Sequence, residues 1–217
     1  MHSYNEQDKA AIYRVISERR DMRHFLPEAV PEALLHRLLE AAHCAPSVGY
    51  MQPWRFIRIR DQALRHTIYQ MVEEERIATA KALGERDDAF MRLKVEGIRE
   101  CAEVLVVSLM NQRQSHIFGR RTLPEMDIAS VACAIQNLWL AARAEGLGVG
   151  WVSLFEPERL GQLLQIPEDG KAIAILCVGY VDNFYPKPML ETEGWAVRES
   201  LAHIIYDNYW GHHDSPS

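Results

Sequence analysis

The sequence predicts an α+β fold, in which a small mixed β-sheet is flanked by helices on both faces. Apolar residues recur at helical spacing in several segments, and short apolar runs of strand length lie between these segments. The chain has 217 residues, of which 48% are hydrophobic, and it shows no internal repeat or linker-like tract. We therefore expect one domain over residues 1–217, large enough to bury a core.

The charge balance limits the classes of partner. The formal net charge is -6, whereas sequence-independent binding to nucleic acid needs clustered basic residues, so we expect no nucleic-acid partner. No window approaches the roughly 18 apolar residues of a membrane span, and the N-terminus lacks the pattern of a signal peptide. We expect a cytoplasmic protein without a membrane partner, whose four isolated cysteines are reduced core thiols.

A helix and an extended basic strip are predicted near the start of the chain. Residues Glu6–Glu18 show amphipathic helical spacing, and Arg19–Arg23 then reads as extended. Because alternate residues of an extended segment face the same side, Arg19 and Arg23 should flank Asp21. The strip is either an anion-binding element, since arginine forks match phosphate, or a solvated run of surface charges.

A second helix and a polar loop follow. Pro31 stands at a favoured first-turn position, and the helix should end near Cys44 because Pro46 disfavours helix at the residue before it. Residues 54–60 alternate as a half-buried strand does. The loop before this strand holds small or polar residues that let a backbone approach a ligand closely: Ser47, Gly49 and Gln52.

The middle of the chain predicts charged helices and then a buried one. Residues 63–100 read as two helices joined by an elbow near Gly84, either a lid over a site or a solvated hairpin. The helix from Pro124 to Ala144 is apolar over much of its circumference, so it should be the central one. Gly146 should end it.

The remaining segments complete the predicted sheet and add a C-terminal arm. Strands are expected at 103–110, 149–155 and 171–181, with a short helix at 157–164. Residues 183–217 are rich in aromatic side chains, which predicts an extended arm that wraps the partner subunit of a homodimer.

Several common site motifs are absent or misplaced. Gly146–Gly150 resembles a dinucleotide-binding loop, but it follows a helix and precedes a strand, the reverse of the required order. Its glycines are better explained by a helix cap and by close approach to a flat ligand. The histidines show no metal-binding spacing, so no metal site is predicted, and no serine-hydrolase elbow is present. The strip, the loop and Ser153 together suggest a flavin.

Three motifs, in order along the chain, resemble the nitroreductase-like FMN-binding superfamily: the basic strip at 19–25, Ala45–Trp54 and Gly146–Trp151. Two residues depart from the usual pattern, because Asp21 stands where the family usually has Ser and Tyr50 where it usually has Asn. These departures, and the segments 119–127, 151–155 and 188–195, are similar to the flavin-destructase branch. In that branch, reduced FMN is both the bound flavin and the substrate.

The resemblance implies an activity with specific cosubstrates. Reduced FMN would be fragmented with O2 to 5,6-dimethylbenzimidazole, the lower ligand of cobalamin, and erythrose 4-phosphate, and a separate NAD(P)H-dependent flavin reductase would supply the reduced FMN. Two alternatives remain open: an NAD(P)H-dependent nitroreductase or flavin reductase on the same fold, and a non-catalytic flavin-binding protein.

The resemblance also implies roles for individual residues. Asp21 and Ser153 would be catalytic, because fragmentation requires proton transfers that a carboxylate and a hydroxyl can supply. Gln52 would reach the flavin, including one held by the partner subunit. As alternatives, Asp21 is a structural ion-pair partner and Ser153 a strand hydroxyl bonded to backbone. The full set expected to contact FMN is Arg19, Arg20, Asp21, Arg23, Ser47, Gln52, Gly150, Ser153 and Leu154.

Overall fold

A computed structural model describes residues 3–212 of the chain. By its internal contacts the chain divides into two compact units, residues 1–184 and 185–217, and the division falls beside the predicted start of the arm at residue 183. Residues 213–217, the end of that arm, lie outside the described part, as do residues 1 and 2. The second unit contains the short helix α7 (Met189–Thr192) and a single 3₁₀ turn at Leu201–His203.

The first unit combines six α-helices of the described part with one four-stranded sheet. The helices are α1 (Glu6–Glu18), α2 (Glu32–His43), α3 (Gln62–Leu83), α4 (Asp87–Arg92), α5 (Met126–Ala144) and α6 (Pro157–Leu163). The strands are β1 (Trp54–Arg58), β2 (Glu103–Leu109), β3 (Leu147–Val152) and β4 (Lys171–Tyr180). The predicted α+β class is confirmed, and α1 has the predicted bounds.

The sheet has the strand order β1-β2-β4-β3, so β1 and β3 form its two edges. All three neighbouring pairs are antiparallel. A mixed sheet was expected, and its parallel pairing is an isolated bridge. In this bridge Asp21 lies beside Val149 on the outer edge of β3. The basic strip therefore continues the sheet as a very short additional strand.

Helices cover both faces of the sheet, as predicted. One core cluster lies between the sheet and the helices α2 and α5, to which α5 contributes Val131, Ile135 and Leu138 among others. A second cluster on the other face includes Ile68 and Val72 of α3 and Leu160 of α6. In contrast, α1 has no buried residue, although it is amphipathic.

Three predictions require correction. The second charged helix ends at Arg92 rather than near residue 100, and Gly97 in the following segment packs so closely on Phe25 that a β-carbon would overlap its ring. Strand β3 ends at Val152, which leaves Ser153 and Leu154 beyond it. Two of the four free cysteines, Cys101 and Cys177, are buried thiols, whereas the other two, Cys44 and Cys133, are exposed.

Within residues 3–212, no helix is both long enough and apolar enough to cross a membrane.

Candidate functional site

The basic strip, residues 19–23, is docked along the edge of β3. The backbone N–H of Met22 donates to the carbonyl of Val149 at 3.0 Å. Two residues further along β3, the N–H of Trp151 donates to the Asp21 carboxylate at 2.9 Å. The strip is thus held by backbone and side-chain bonds at once, which fixes the direction of the Asp21 carboxyl group.

Glycines in β3 make this close docking possible. A β-carbon on Gly150 would overlap the carbonyl oxygen of Met22 and come within 3.1 Å of Arg23 Nη1. A β-carbon on Gly148 would lie 3.0 Å from the Met22 side chain. The close approach of a flat ligand to these glycines stays a prediction. The protein atoms that approach them belong to Met22 and Arg23 of the strip and, at Gly148, to the side chain of Val181.

Asp21 and Arg23 form an ion pair at the centre of the strip. Arg23 Nη2 donates to Asp21 Oδ2 at 2.6 Å and to the carbonyl of Trp151 at 2.9 Å. The arginine is buried, whereas the Asp21 side chain is 42% exposed. The carboxyl group is therefore anchored on its inner side and still accessible from outside.

Opposing influences act on the protonation of this carboxyl group. Loss of hydration raises the pKa of Asp21 above its ordinary value, while Arg23, the Trp151 N–H and Arg19 each lower it. Burial is the largest of these influences, so the net direction is upward. A carboxyl group balanced in this way can donate as well as accept a proton closer to neutral pH.

Trp139 of α5 supports the two arginines that precede Asp21. The guanidinium carbon of Arg19 lies 4.6 Å from the centre of the Trp139 ring, a cation–π distance. The indole N–H of Trp139 donates to the Arg20 carbonyl at 3.1 Å, and the Arg20 guanidinium bonds the carbonyls of Ser17 and Arg19. The apolar spacing of α5 predicts only that the helix is central, and nothing in that spacing separates this role of Trp139 from packing.

Ser153 and Leu154 follow directly after β3, the strand to which Asp21 is bonded. Ser153 is exposed, and Leu154 packs partly against the second core cluster. Because Trp151 bonds Asp21 and lies two positions before Ser153, the structure brings the two predicted catalytic residues to the same edge of the sheet.

The second predicted part of the site, the loop from Ser47 to Gln52, is unusually strained. Three of its residues have positive φ: Gly49 at 53°, Tyr50 at 53° and Gln52 at 49°. Such values are uncommon for residues other than glycine and are least expected for a bulky side chain. The Ser47 hydroxyl accepts from the Gln52 N–H at 3.0 Å and so closes the loop on itself.

Neighbouring segments keep this loop in place. The N–H of Val48 donates at 3.0 Å to the hydroxyl of Ser130, at the start of α5. A β-carbon on Gly49 would lie 2.9 Å from the carbonyl oxygen of Phe118, and one on Gly119 would lie 2.6 Å from the Val48 side chain. The loop and residues 117–119 therefore touch along their backbones. Ser130 was not singled out from sequence, since it looked like one polar position in an apolar helix.

A buried charge cluster anchors the segment that contains Phe118. Asp127, at the start of α5, accepts from Arg113 at 2.5 Å and from Arg120 at 2.9 Å. Both Asp127 and Arg120 are buried. Arg120 also donates to the backbone carbonyls of Arg113, His116 and Pro124, so that one side chain holds several turns of the segment.

The strip and the loop lie at opposite edges of the sheet. The strip adjoins β3 and the loop leads into β1, and the three strand spacings between these edges amount to about 14 Å. Their contacts on α5, at Trp139 and Ser130, are nine residues apart, about 14 Å along the helix. The structure thus brings Arg19, Asp21, Arg23, Gly150 and Ser153 together but keeps Ser47 and Gln52 apart from them.

The fold and these motifs define a class of protein. The sequence model of the nitroreductase family matches residues 16–180, most of the chain. This chain belongs to the nitroreductase family.

Comparison with individual proteins shows which members of the family this chain resembles. The chain is 45% identical over 183 residues to the 5,6-dimethylbenzimidazole synthase of Rhodospirillum rubrum. This match covers 83% of this chain and 86% of that protein. It is 36% identical over 195 residues to the enzyme of the same name from Rhodobacter capsulatus, covering 89% and 94%. A crystal structure of oxidized iodotyrosine deiodinase bound to FMN and 3-iodo-L-tyrosine shares the fold. Its TM-score is 0.71 at 24% identity, over 91% of this chain and all of that one.

Proposed function

We propose that this protein catalyses the O2-dependent fragmentation of reduced FMN to 5,6-dimethylbenzimidazole and erythrose 4-phosphate, a step towards the lower ligand of cobalamin. The observation that carries the proposal is the Asp21 carboxyl group, held by Arg23 and Trp151 on its inner side and open on its outer side. The relatives named as 5,6-dimethylbenzimidazole synthase support the same assignment.

The donor set of the strip fits a flavin phosphate and the polar edge of a flavin ring. Guanidinium groups suit both, because their N–H donors match phosphate and carbonyl oxygens. Arg19, Arg20 and Arg23 would hold FMN from one edge of the sheet, with the backbone around Gly150 and the residues Ser153 and Leu154 beside them. Reduced FMN, when bound, supplies both the carbon skeleton that is cleaved and the electrons that reduce O2.

In this proposal Asp21 moves protons at its two carboxylate oxygens. Burial favours the neutral form, whereas Arg23 and the Trp151 N–H favour the anion, so the group can serve as acid and as base within one turnover. The exposed Ser153 hydroxyl provides a second donor and acceptor at the same edge. Arg23 also keeps the carboxyl group aimed in one direction, which limits the entropic cost of reaching the reactive geometry.

We further propose that the complete site forms between two copies of the chain. Gln52 and Ser47 lie at the far edge of the sheet from Asp21, too far for both groups to contact one ring system in one protomer. In a homodimer with twofold symmetry, the loop of one copy can reach the strip of the other. The C-terminal arm would add to this interface. A separate NAD(P)H-dependent flavin reductase would supply reduced FMN, in the cytoplasm, where the four thiols stay reduced.

One reaction separates the possible functions. FMN is reduced by a separate reductase, the purified protein and air are added, and the products are analysed by chromatography. The proposal predicts 5,6-dimethylbenzimidazole and consumption of FMN. Full recovery of intact FMN would indicate a binding protein, and steady NAD(P)H oxidation by the pure protein with a nitroaromatic acceptor would indicate an ordinary nitroreductase.

Two variants test the catalytic residues. Asp21→Asn should leave FMN binding and flavin oxidation largely intact while abolishing 5,6-dimethylbenzimidazole, because Asn keeps the bond from Trp151 but cannot exchange a proton. Ser153→Ala should lower product yield without loss of FMN affinity. Unchanged product from Asp21→Asn would exclude the proposed role of Asp21.

A further inference from the structure

Two arginines of the strip are held by different kinds of partner. Arg23 is buried and forms an ion pair with Asp21 at 2.6 Å. The guanidinium carbon of Arg19 instead lies 4.6 Å from the centre of the Trp139 ring. A carboxylate neutralises the charge of a guanidinium group, whereas an aromatic face attracts the cation and leaves its net charge in place. The contact with Trp139 therefore orders the Arg19 side chain without cancelling its positive charge.

The Trp139 ring is itself fixed in direction. Trp139 is buried in the first core cluster, between the sheet and the helices α2 and α5. Its indole N–H donates to the carbonyl of Arg20 at 3.1 Å. The ring of Trp151 lies 6.4 Å away, centre to centre, at an interplanar angle of 45°, which is within the range of interacting aromatic pairs. Because packing and a hydrogen bond together fix the ring plane, Trp139 presents one defined face to Arg19.

The direction of the strip separates its arginines along the edge of β3. The bridge between Asp21 and Val149 is parallel, and Arg23 bonds the carbonyl of Trp151, so Arg23 lies towards the end of β3 that leads to the predicted catalytic hydroxyl. Arg19 lies two residues before Asp21, about 7 Å away along an extended segment. In FMN a ribityl chain separates the phosphate from the ring. With the ring at the catalytic end of the strip, Arg19 stands at the phosphate end.

We infer that Trp139 is a positioning residue that sets the specificity of the site: it holds Arg19 ready for the phosphate and so gives the site a preference for FMN over riboflavin. The inference rests on the proposed function and adds a residue that acts through Arg19 rather than by touching the flavin. An arginine that is ordered beforehand loses less side-chain freedom when it binds an anion, and affinity rises accordingly. Riboflavin has no phosphate, so its binding does not benefit from this order.

Equilibrium dialysis with FMN and with riboflavin tests the inference, because the two flavins differ only in the phosphate. Trp139→Leu removes the aromatic face and keeps apolar bulk, whereas Trp139→Phe keeps a face for the cation. Trp54→Leu is the matched control, because Trp54 is buried in the same core cluster and its indole N–H donates to His43 at 3.2 Å, at the other edge of the sheet. The readout is the ratio of the two dissociation constants, which a general loss of stability does not change.

Trp139→Leu should reduce the preference for FMN over riboflavin by about three- to tenfold, the range expected when one long side chain has to be ordered on binding. Most of the preference should return in Trp139→Phe, and Trp54→Leu should leave it unchanged. In a chain that already carries Arg19→Gln, Trp139→Leu should have no further effect on the preference, because the two residues act as one unit.

Equal weakening of FMN and riboflavin binding by Trp139→Leu would overturn the inference in favour of a packing role, and so would a further loss of preference in the Arg19→Gln chain. If Trp139→Leu does not fold, Arg19→Lys carries the test, since lysine keeps the charge but offers no plane to the ring. Wild-type preference in Arg19→Lys would then overturn the inference. All these results leave the proposed function intact, because it is scored separately by the 5,6-dimethylbenzimidazole that the wild type forms.

Discussion

The basic strip and the strained loop are built in opposite ways. The strip is stabilised within its own protomer, because Asp21, Met22 and Arg23 are all bonded to β3. The loop is held firmly, yet it directs Tyr50 outwards at a positive φ. The strip therefore resembles part of a binding site that is held in place within one protomer. The loop resembles a surface that contacts a second molecule.

This difference separates a region that stabilises the isolated chain from a region whose features are better explained by function. The strip contains one internal ion pair, between Asp21 and Arg23, and is bonded to β3, so its residues would be retained for stability as well as for binding. The loop contains three residues in the left-handed region and the exposed ring of Tyr50, and the segment it touches carries the exposed ring of Phe118, features that do not stabilise the isolated chain. Variants in the two regions should therefore affect stability and binding in different proportions.

The largest loss of stability should come from a substitution in the buried charge cluster that anchors the segment next to the loop. Asp127→Ala leaves the buried Arg120 and its neighbour Arg113 without their shared carboxylate, which should cost about 3–5 kcal/mol of unfolding free energy. Denaturant unfolding measures this cost. Hydrogen exchange should accelerate at residues 47–52 and 113–123 but not in the strip.

An exposed ion pair provides the control for that variant. Glu74 pairs with Arg159 at the surface, and Glu74→Ala should leave the unfolding free energy almost unchanged because solvent screens the pair. Equal acceleration of exchange in the strip and in the loop after Asp127→Ala would show that the two regions are not independent.

A methyl group at Gly150 should damage the strip selectively. The added β-carbon would overlap the Met22 carbonyl, so Gly150→Ala should cost about 1–3 kcal/mol and should sharply reduce FMN affinity. Gly161→Ala in α6 is the matched control, because its nearest described neighbour would be Ile166 at 3.9 Å. That variant should be neutral or slightly stabilising. Normal FMN binding by Gly150→Ala would contradict the assignment of the strip.

Relieving strain in the loop should have a smaller and opposite effect on stability. Tyr50→Asn places a residue that tolerates the left-handed region at φ 53°, so thermal or denaturant unfolding should show a gain of about 0.5–1 kcal/mol. A loss of stability would mean that the Tyr50 side chain packs within its own protomer.

The pH dependence of stability should report the environment of Asp21. Its pKa is raised on folding, so its contribution to stability is fully present below the unfolded pKa and is lost as the pH rises through the folded pKa. Asn does not titrate, so the stability of Asp21→Asn relative to wild type should increase from pH 4 to pH 7 in the absence of flavin. A relative stability that decreases over this range would mean that Arg23 outweighs burial.

Local patterns accounted for most of the elements. The spacing of apolar residues in Glu6–Glu18 and the turn residues Pro31 and Gly146 marked boundaries that the structure reproduces closely. The segment after Arg92 was predicted as helix because its charge pattern continues, while the contact of Gly97 with Phe25 that shapes it is long-range.

The candidate site was harder to predict from the sequence than the fold. Strand order depends on pairing between distant segments, so nothing local could show that the strip and the loop occupy opposite edges. Asp21, Ser153 and Gln52 were chosen through resemblance to a family, and their roles remain predictions. Trp139 and Ser130, which position the two regions, looked like ordinary residues of an apolar helix.

The claim that the two regions meet only between copies can be tested by mixing defective chains. One chain carries Asp21→Asn, which disables the strip, and the other carries Gly49→Val, whose side chain would collide with the Phe118 carbonyl and displace the loop. If each site combines one strip and one loop from different copies, mixed dimers contain one intact site and should form about half the wild-type amount of 5,6-dimethylbenzimidazole per dimer. Mixed dimers that form normally but produce none would contradict the account.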